Sequence, residues 1–196
     1  LARPRAFPDD LMFQGIHQAL CKRGFNQLTL EHIATEIAIS PAALTKRFGS
    51  KKALLLFYID MVISITEQAF ADVCRLPVTR INALKTLFMR SMGQMSDPTA
   101  LANFTSLFVA CVSDPELLER SQRRLRVIDE QVKLLLNAAA AAQEIRGADI
   151  DKTARVLQSA LGGALFIWLK DPDRPLAEWV DDCFDIVMGP LYVQAQ

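Results

Sequence analysis

The chain of 196 residues is 51% hydrophobic and 22% charged, and its 22 basic residues balance 22 acidic ones. That size allows one large domain or two small ones, and no uninterrupted apolar run approaches the roughly 20 residues of a membrane span. Four scattered cysteines without a Cys-x-x-Cys, and only two histidines, exclude a disulfide framework and structural zinc; with no evident secretory leader, they point to the cytoplasm.

Helical periodicity runs through almost the whole sequence, and no strand alternation appears, so the fold class is all-α. A first helix spans about Pro8 to Arg23, with Met12, Phe13, Ile16, Ala19 and Leu20 on one face and Gly24 as its stop. Thr29 caps a second helix with the apolar stripe Leu30, Ile33, Ala34 and Ile37. After the short turn Ala38 to Ser40, Ser40 and Pro41 form a cap-then-proline start for a third helix that ends near Phe48. Ser50 caps a long fourth helix reaching about Arg75, and Pro77 closes it.

Further helices are expected from Pro77 to about Met95, from Asp97-Pro98 to about Val112, and from Asp114-Pro115 to about Ala142. Gly147 breaks the chain before a helix from Asp151 to Lys170, and a Pro-rich loop starts the last helix through Trp179, Phe184 and Val187. The expected architecture is a three-helix domain over residues 1–52, joined by the long helix to a larger helical domain over 53–196, about nine helices in all.

The neutral total conceals an asymmetry. Residues 1–55 carry eight basic and four acidic side chains, a local charge of +4, and the remainder carries −4. A basic head on an acidic body suits phosphate contact by one end of the molecule. Two short helices across a short turn cannot bury their apolar faces alone, so the first helix completes a tri-helical core. The third helix is then left with Ala42, Ala43, Thr45, Lys46 and Arg47 outward. Small residues near its start allow approach to base edges, and Ser40, Thr45, Lys46 and Arg47 supply polar groups for bases and phosphates. Lys51, at the start of the fourth helix, lies where the helix dipole also attracts a phosphate.

The segment Leu28 to Leu54 resembles the TetR family of bacterial repressors through Thr29, Ile33-Ala34, Ile39-Ser40 and Phe48-Gly49-Ser50-Lys51, with Gly24-Phe25 at the family's Gly-aromatic step. Arg3-Pro4-Arg5 is similar to the family's basic arm, so the resemblance adds Arg3, Arg5 and Thr29 to the DNA-binding residues. Three positions depart from the pattern: Ala38 replaces a turn glycine, Thr45 a tyrosine and Arg47 a histidine.

The resemblance implies a homodimer that binds a near-palindromic double-stranded operator, and repression relieved by a largely apolar small molecule. It places an effector pocket among the fourth to eighth helices, with Met61, Phe88, Met92, Phe104, Phe108 and Arg124 as candidates. It places a four-helix dimer interface on the last two helices, at Gly162, Gly163, Phe166, Ile167, Trp179, Cys183, Phe184 and Val187. The alternative is a helical ligand-binding or adaptor protein without DNA binding. No cofactor, metal, membrane contact or enzymatic function is expected: His17 and Cys21 lie one turn apart in the presumed core, with no third group in the sequence to orient them.

Overall fold

The computed structural model describes residues 7–93 and 95–193. Nine α-helices form among them: α1 (Asp9–Gln27), α2 (Leu30–Glu36), α3 (Pro41–Phe48), α4 (Lys51–Cys74), α5 (Arg80–Ser91), α6 (Pro98–Ala110), α7 (Pro115–Ala141), α8 (Ile150–Trp168) and α9 (Leu176–Met188). Most boundaries follow from caps. The Ser40 hydroxyl accepts from Ala43 N at 3.2 Å, and that of Ser50 accepts from Ala53 N at 3.1 Å. Asp114 accepts from Glu116 N at 3.0 Å. Two starts differ from expectation. α5 opens at Arg80 because the Thr79 hydroxyl, not Pro77, caps it, and α8 opens one residue early because Asp149 accepts from Lys152 N.

Compactness does not follow the expected boundary at residue 52. One unit comprises the described residues through Val62 together with Thr99–Gln122; the other comprises Ile63–Pro98 and the described residues from Arg123 onward. In the first unit, Met12, Ile16, Ala19 and Leu20 of α1, Ile33, Ala34 and Ile37 near α2, and Leu44 of α3 are all buried. Gly15 is required there, since a Cβ would stand 2.0 Å from Ile37 Cγ2. α6 belongs to this unit through hydrogen bonds to the end of α1. Asn103 donates to the Cys21 carbonyl at 2.8 Å, and the Ser106 hydroxyl accepts from Phe25 N at 2.8 Å. α1 breaks at Gly24, whose φ of 70° no ordinary residue adopts readily.

In the second unit α8 and α9 pack along Leu157, Leu161, Ala164 and Trp168 against Val180, Phe184 and Met188, all buried. The end of α7 turns through Gln143 at φ 57°, with Glu144 N bonded to Ala139 O and Gln143 N to Ala140 O. That turn aims the Glu144 carboxylate at the start of α5, where it accepts from Arg80 N and Ile81 N, each at 2.9 Å.

α4 passes a length and composition test for a membrane-crossing helix, although Asp60 and Glu67 interrupt its apolar run. In this fold it is a core helix: Leu54, Leu55, Tyr58, Ile59, Val62, Ile63, Phe70 and Val73 are buried.

The turn between α2 and α3 shows what the replaced glycine entails. Ile39 N bonds to Ala34 O at 3.0 Å and Ala38 N to Thr35 O at 3.3 Å, a left-handed helix stop with Ala38 at φ 54°. The turn therefore keeps the geometry a glycine would favour, at a strain of about 1–2 kcal/mol for alanine. Ala38→Gly relieves that strain and loses part of the gain to greater chain entropy, so it should stabilise the protein by about 0.5–1 kcal/mol. Thermal unfolding of the two proteins checks this.

Candidate nucleic-acid interface

α3 turns one side chain, Leu44, fully inward, leaves Ala43 and Phe48 half-buried, and exposes Pro41, Ala42, Thr45, Lys46 and Arg47. The candidate reading helix is thus open on the face the sequence assigns to DNA. The polar groups on and beside that face are already committed to different degrees. Thr29 and Ser40 act as helix caps, their hydroxyls accepting from His32 N and Ala43 N. Thr45 donates to the Pro41 carbonyl at 3.1 Å. Each hydroxyl retains a lone pair for a further contact.

The cations divide more sharply. Lys46 is exposed and makes no ion pair or hydrogen bond among the described residues. The Lys51 ammonium donates to the Phe25 carbonyl at 2.9 Å and lies 4.8 Å from the Phe25 ring centre, and burial lowers its pKa from the ordinary 10.5. Lys51 thus ties the start of α4 to the end of α1. Lys52 is engaged with Asp114 and Glu116 at 3.0 and 2.8 Å. Arg47 donates to the Phe7 carbonyl and to the Asp9 carboxylate. Sequence reading missed these partners because carbonyls and distant carboxylates leave no local pattern. Arg3 and Arg5 lie outside the described residues.

His17 does have a third group, contrary to expectation. Its Nδ1 is 2.8 Å from the Tyr58 hydroxyl, and its Nε2 is 3.6 Å from Cys21 Sγ. A neutral imidazole has one donor and one acceptor nitrogen, so Tyr58 and Cys21 take opposite roles on the ring. Phe13 stacks on Tyr58 at 5.1 Å, and Phe104 meets His17 edge-on at 5.4 Å and Phe108 at 5.3 Å. This ring stack joins α1, α4 and α6 within the first unit.

The remaining effector candidates are dispersed. Met61 is half-buried in the first unit; in the second, Phe88 is buried while Met92 and Arg124 are half-buried. The second unit also carries an open groove of about 370 Å³ lined by Asn82, Lys85, Thr86, Met89, Arg90, Gly93, Ala177 and Asp181, and none of the six candidates borders it.

On α8, Gly162 and Gly163 are exposed, with nothing within 4 Å of an added Cβ, and Phe166 and Ile167 are 54% and 55% exposed. Trp179, Cys183 and Val187 of α9 are half-buried, with the Cys183 thiol donating to the Ala160 carbonyl at 3.7 Å. Phe184 is a correction. It is fully buried inside the second unit, because it continues the inward stripe Leu176, Val180, Phe184 and Met188, whereas Ile186 is 79% exposed.

Residues 16–56 match the family model of bacterial regulatory proteins, tetR family. No curated protein matches the sequence. Among solved structures, the chain is similar to a putative transcriptional regulator from Saccharomonospora viridis in complex with choline. That likeness has a TM-score of 0.81 at 13% identity and covers 95% of this chain and 98% of that one. A TetR transcription regulator from Haloarcula marismortui matches with a TM-score of 0.76 at 17% identity, covering 94% and 98%. SmeT, the repressor of the Stenotrophomonas maltophilia multidrug efflux pump SmeDEF, matches with a TM-score of 0.69 at 16% identity, covering 96% and 92%.

The His17 environment has a consequence for acid stability. Burial lowers its pKa below the ordinary 6.5, so the folded protein favours the neutral ring. The stabilisation from a neutral His17 is complete above pH 6.5 and is lost as pH falls through the lower folded value. Against His17→Gln, which stays neutral and keeps a hydrogen bond to Tyr58, the wild-type protein should lose its stability advantage as pH drops from 7.5 to 5. Urea unfolding of both proteins across that range measures the difference, and a constant difference refutes the assignment.

Proposed function

We propose that this chain, which carries the tetR-family helix-turn-helix segment at residues 16–56 on the fold shared with those regulators, is a dimeric DNA-binding transcriptional regulator, and specifically a repressor released by a small, largely apolar effector. The observation that carries the reading is the face of α3: small residues at its N-terminal end and a Lys46 with no partner among the described residues, in the segment 1–55 that holds the local +4 charge. A helix of this size enters a major groove, and two subunits would place their α3 helices in successive grooves about 34–36 Å apart.

The exposed strip Val156, Gly162, Gly163, Phe166 and Ile167 of α8, with Ile186 of α9, is the proposed surface for a second copy. Large apolar side chains about half or more exposed along one face are costly to leave in water. Repression draws support from SmeT, and effector binding from the choline-bound Saccharomonospora relative. Effector contact is assigned to the half-buried Phe104, which meets His17, and Phe108, which meets Phe104. An effector that prefers one arrangement of these helices lowers DNA affinity, and DNA lowers effector affinity by the same factor.

Fluorescence anisotropy with random-sequence duplex at low salt, followed by selection of the preferred site, tests the reading. Binding that steepens on a selected near-palindrome is expected. Absence of binding even at low salt overturns it in favour of a helical adaptor. Lys46→Ala should weaken binding to every duplex and flatten the log–log salt slope by about one unit, the share of a single phosphate contact. Phe166→Asp places a charge on the proposed subunit contact and should yield monomers in sedimentation experiments.

A further inference from the structure

Arg47 stands on the last turn of α3, on the exposed face, and the sequence assigns it to DNA. Its guanidinium is nevertheless held on several sides. Nη1 donates to the Phe7 carbonyl at 2.5 Å, Nη2 donates to the Asp9 carboxylate, and the group lies 5.2 and 5.9 Å from the ring centres of Phe48 and Phe57. The planar fork suits this arrangement, since its donors diverge in a fixed geometry while its face rests on aromatic rings. Asp9 is the first residue of α1, where the exposed N–H groups also favour a carboxylate.

We infer that Arg47 is a positioning residue and not a reader of bases or phosphates: it fastens the start of α1 to the last turn of α3. The inference rests on the DNA-binding reading above and assigns one residue within it. α3 has a single fully buried side chain, so its angle to α1 depends on contacts at its ends. Ser40 secures the first turn and Arg47 the last. Lys46, the next residue back, faces solvent and is left for the phosphates.

The test uses the full-length protein and the duplex it selects from random-sequence DNA. Four proteins are compared: wild type, Arg47→Gln, Arg47→Asp, and the charge-exchanged double variant Arg47→Asp with Asp9→Arg. Thermal unfolding is recorded for each. Loss of the clamp should weaken binding about tenfold in Arg47→Gln, with the salt slope unchanged because no phosphate contact is removed. The double variant should recover part of the affinity that Arg47→Asp loses, since the ion pair is restored with its polarity reversed while the Phe7 carbonyl contact and the aromatic contacts are not. Two outcomes overturn the inference: a salt slope about one unit flatter in Arg47→Gln, or a double variant as weak as Arg47→Asp. The first outcome means that the arginine itself touches DNA, and the second that its pair with Asp9 does not position α3. If wild type binds no duplex, the regulator reading falls first and this assignment falls with it, a result distinct from both.

Discussion

An eight-residue helix that buries a single side chain has to be held in place from its ends, and the first unit is organised around that constraint. Leu44 anchors α3 to the tri-helical core, but one leucine contributes only about 1.5–3 kcal/mol of apolar burial and fixes no direction. Direction comes from contacts that leave the helix: the left-handed stop at Ala38 sets its entry from α2, and Arg47 reaches Asp9 of α1. Lys51 on the Phe25 carbonyl adds a further tie between α1 and α4. An open face on α3 and a rigid attachment are compatible because the bracing lies at the helix ends and in the core beneath.

This arrangement divides the cations into two groups by their surroundings and not by their sequence neighbourhood. Lys46 and Arg47 are adjacent, yet one is solvated and the other is clamped against aromatic rings and a carboxylate. α6 is drawn into the same unit through Asn103, Phe104 and Ser106, which meet the C-terminal half of α1. The proposed effector contact Phe104 therefore meets the His17 ring directly, and α6 also touches Gly24 through Asn103 and Phe25 through Ser106.

Much of the fold was legible because helix ends carry local chemistry. Ser40-Pro41 and Asp114-Pro115 marked true starts, since a side-chain oxygen followed by a residue lacking an N–H satisfies the first turn. Pro77 misled for the same reason: a proline suggests a start, but the Thr79 hydroxyl was the one in reach of a free N–H. The open face of α3 was legible from its periodicity. The engagement of Lys51 and Arg47 was not, because a lysine bound to a carbonyl reads the same as a lysine awaiting a phosphate. Phe184 failed differently: the stripe Leu176, Val180, Phe184 and Met188 at four-residue spacing marked it as inward-facing, and the family resemblance assigned it to the subunit surface instead.

The carboxylate of Glu144 makes the stretch before it intolerant of length change. Val132, Leu135, Leu136 and Ala139 are seated in the core, and the Gln143 turn then presents Glu144 to two backbone N–H groups of α5. One residue inserted between Ala139 and Ala142 would rotate the downstream turn by about 100° and carry the carboxylate off its target. Descendants of this sequence can therefore gain or lose residues in the loop at 147–149, beyond the Arg146 N–Leu191 O bond, more readily than just upstream, provided that Gly147 itself, at φ 67°, stays a glycine.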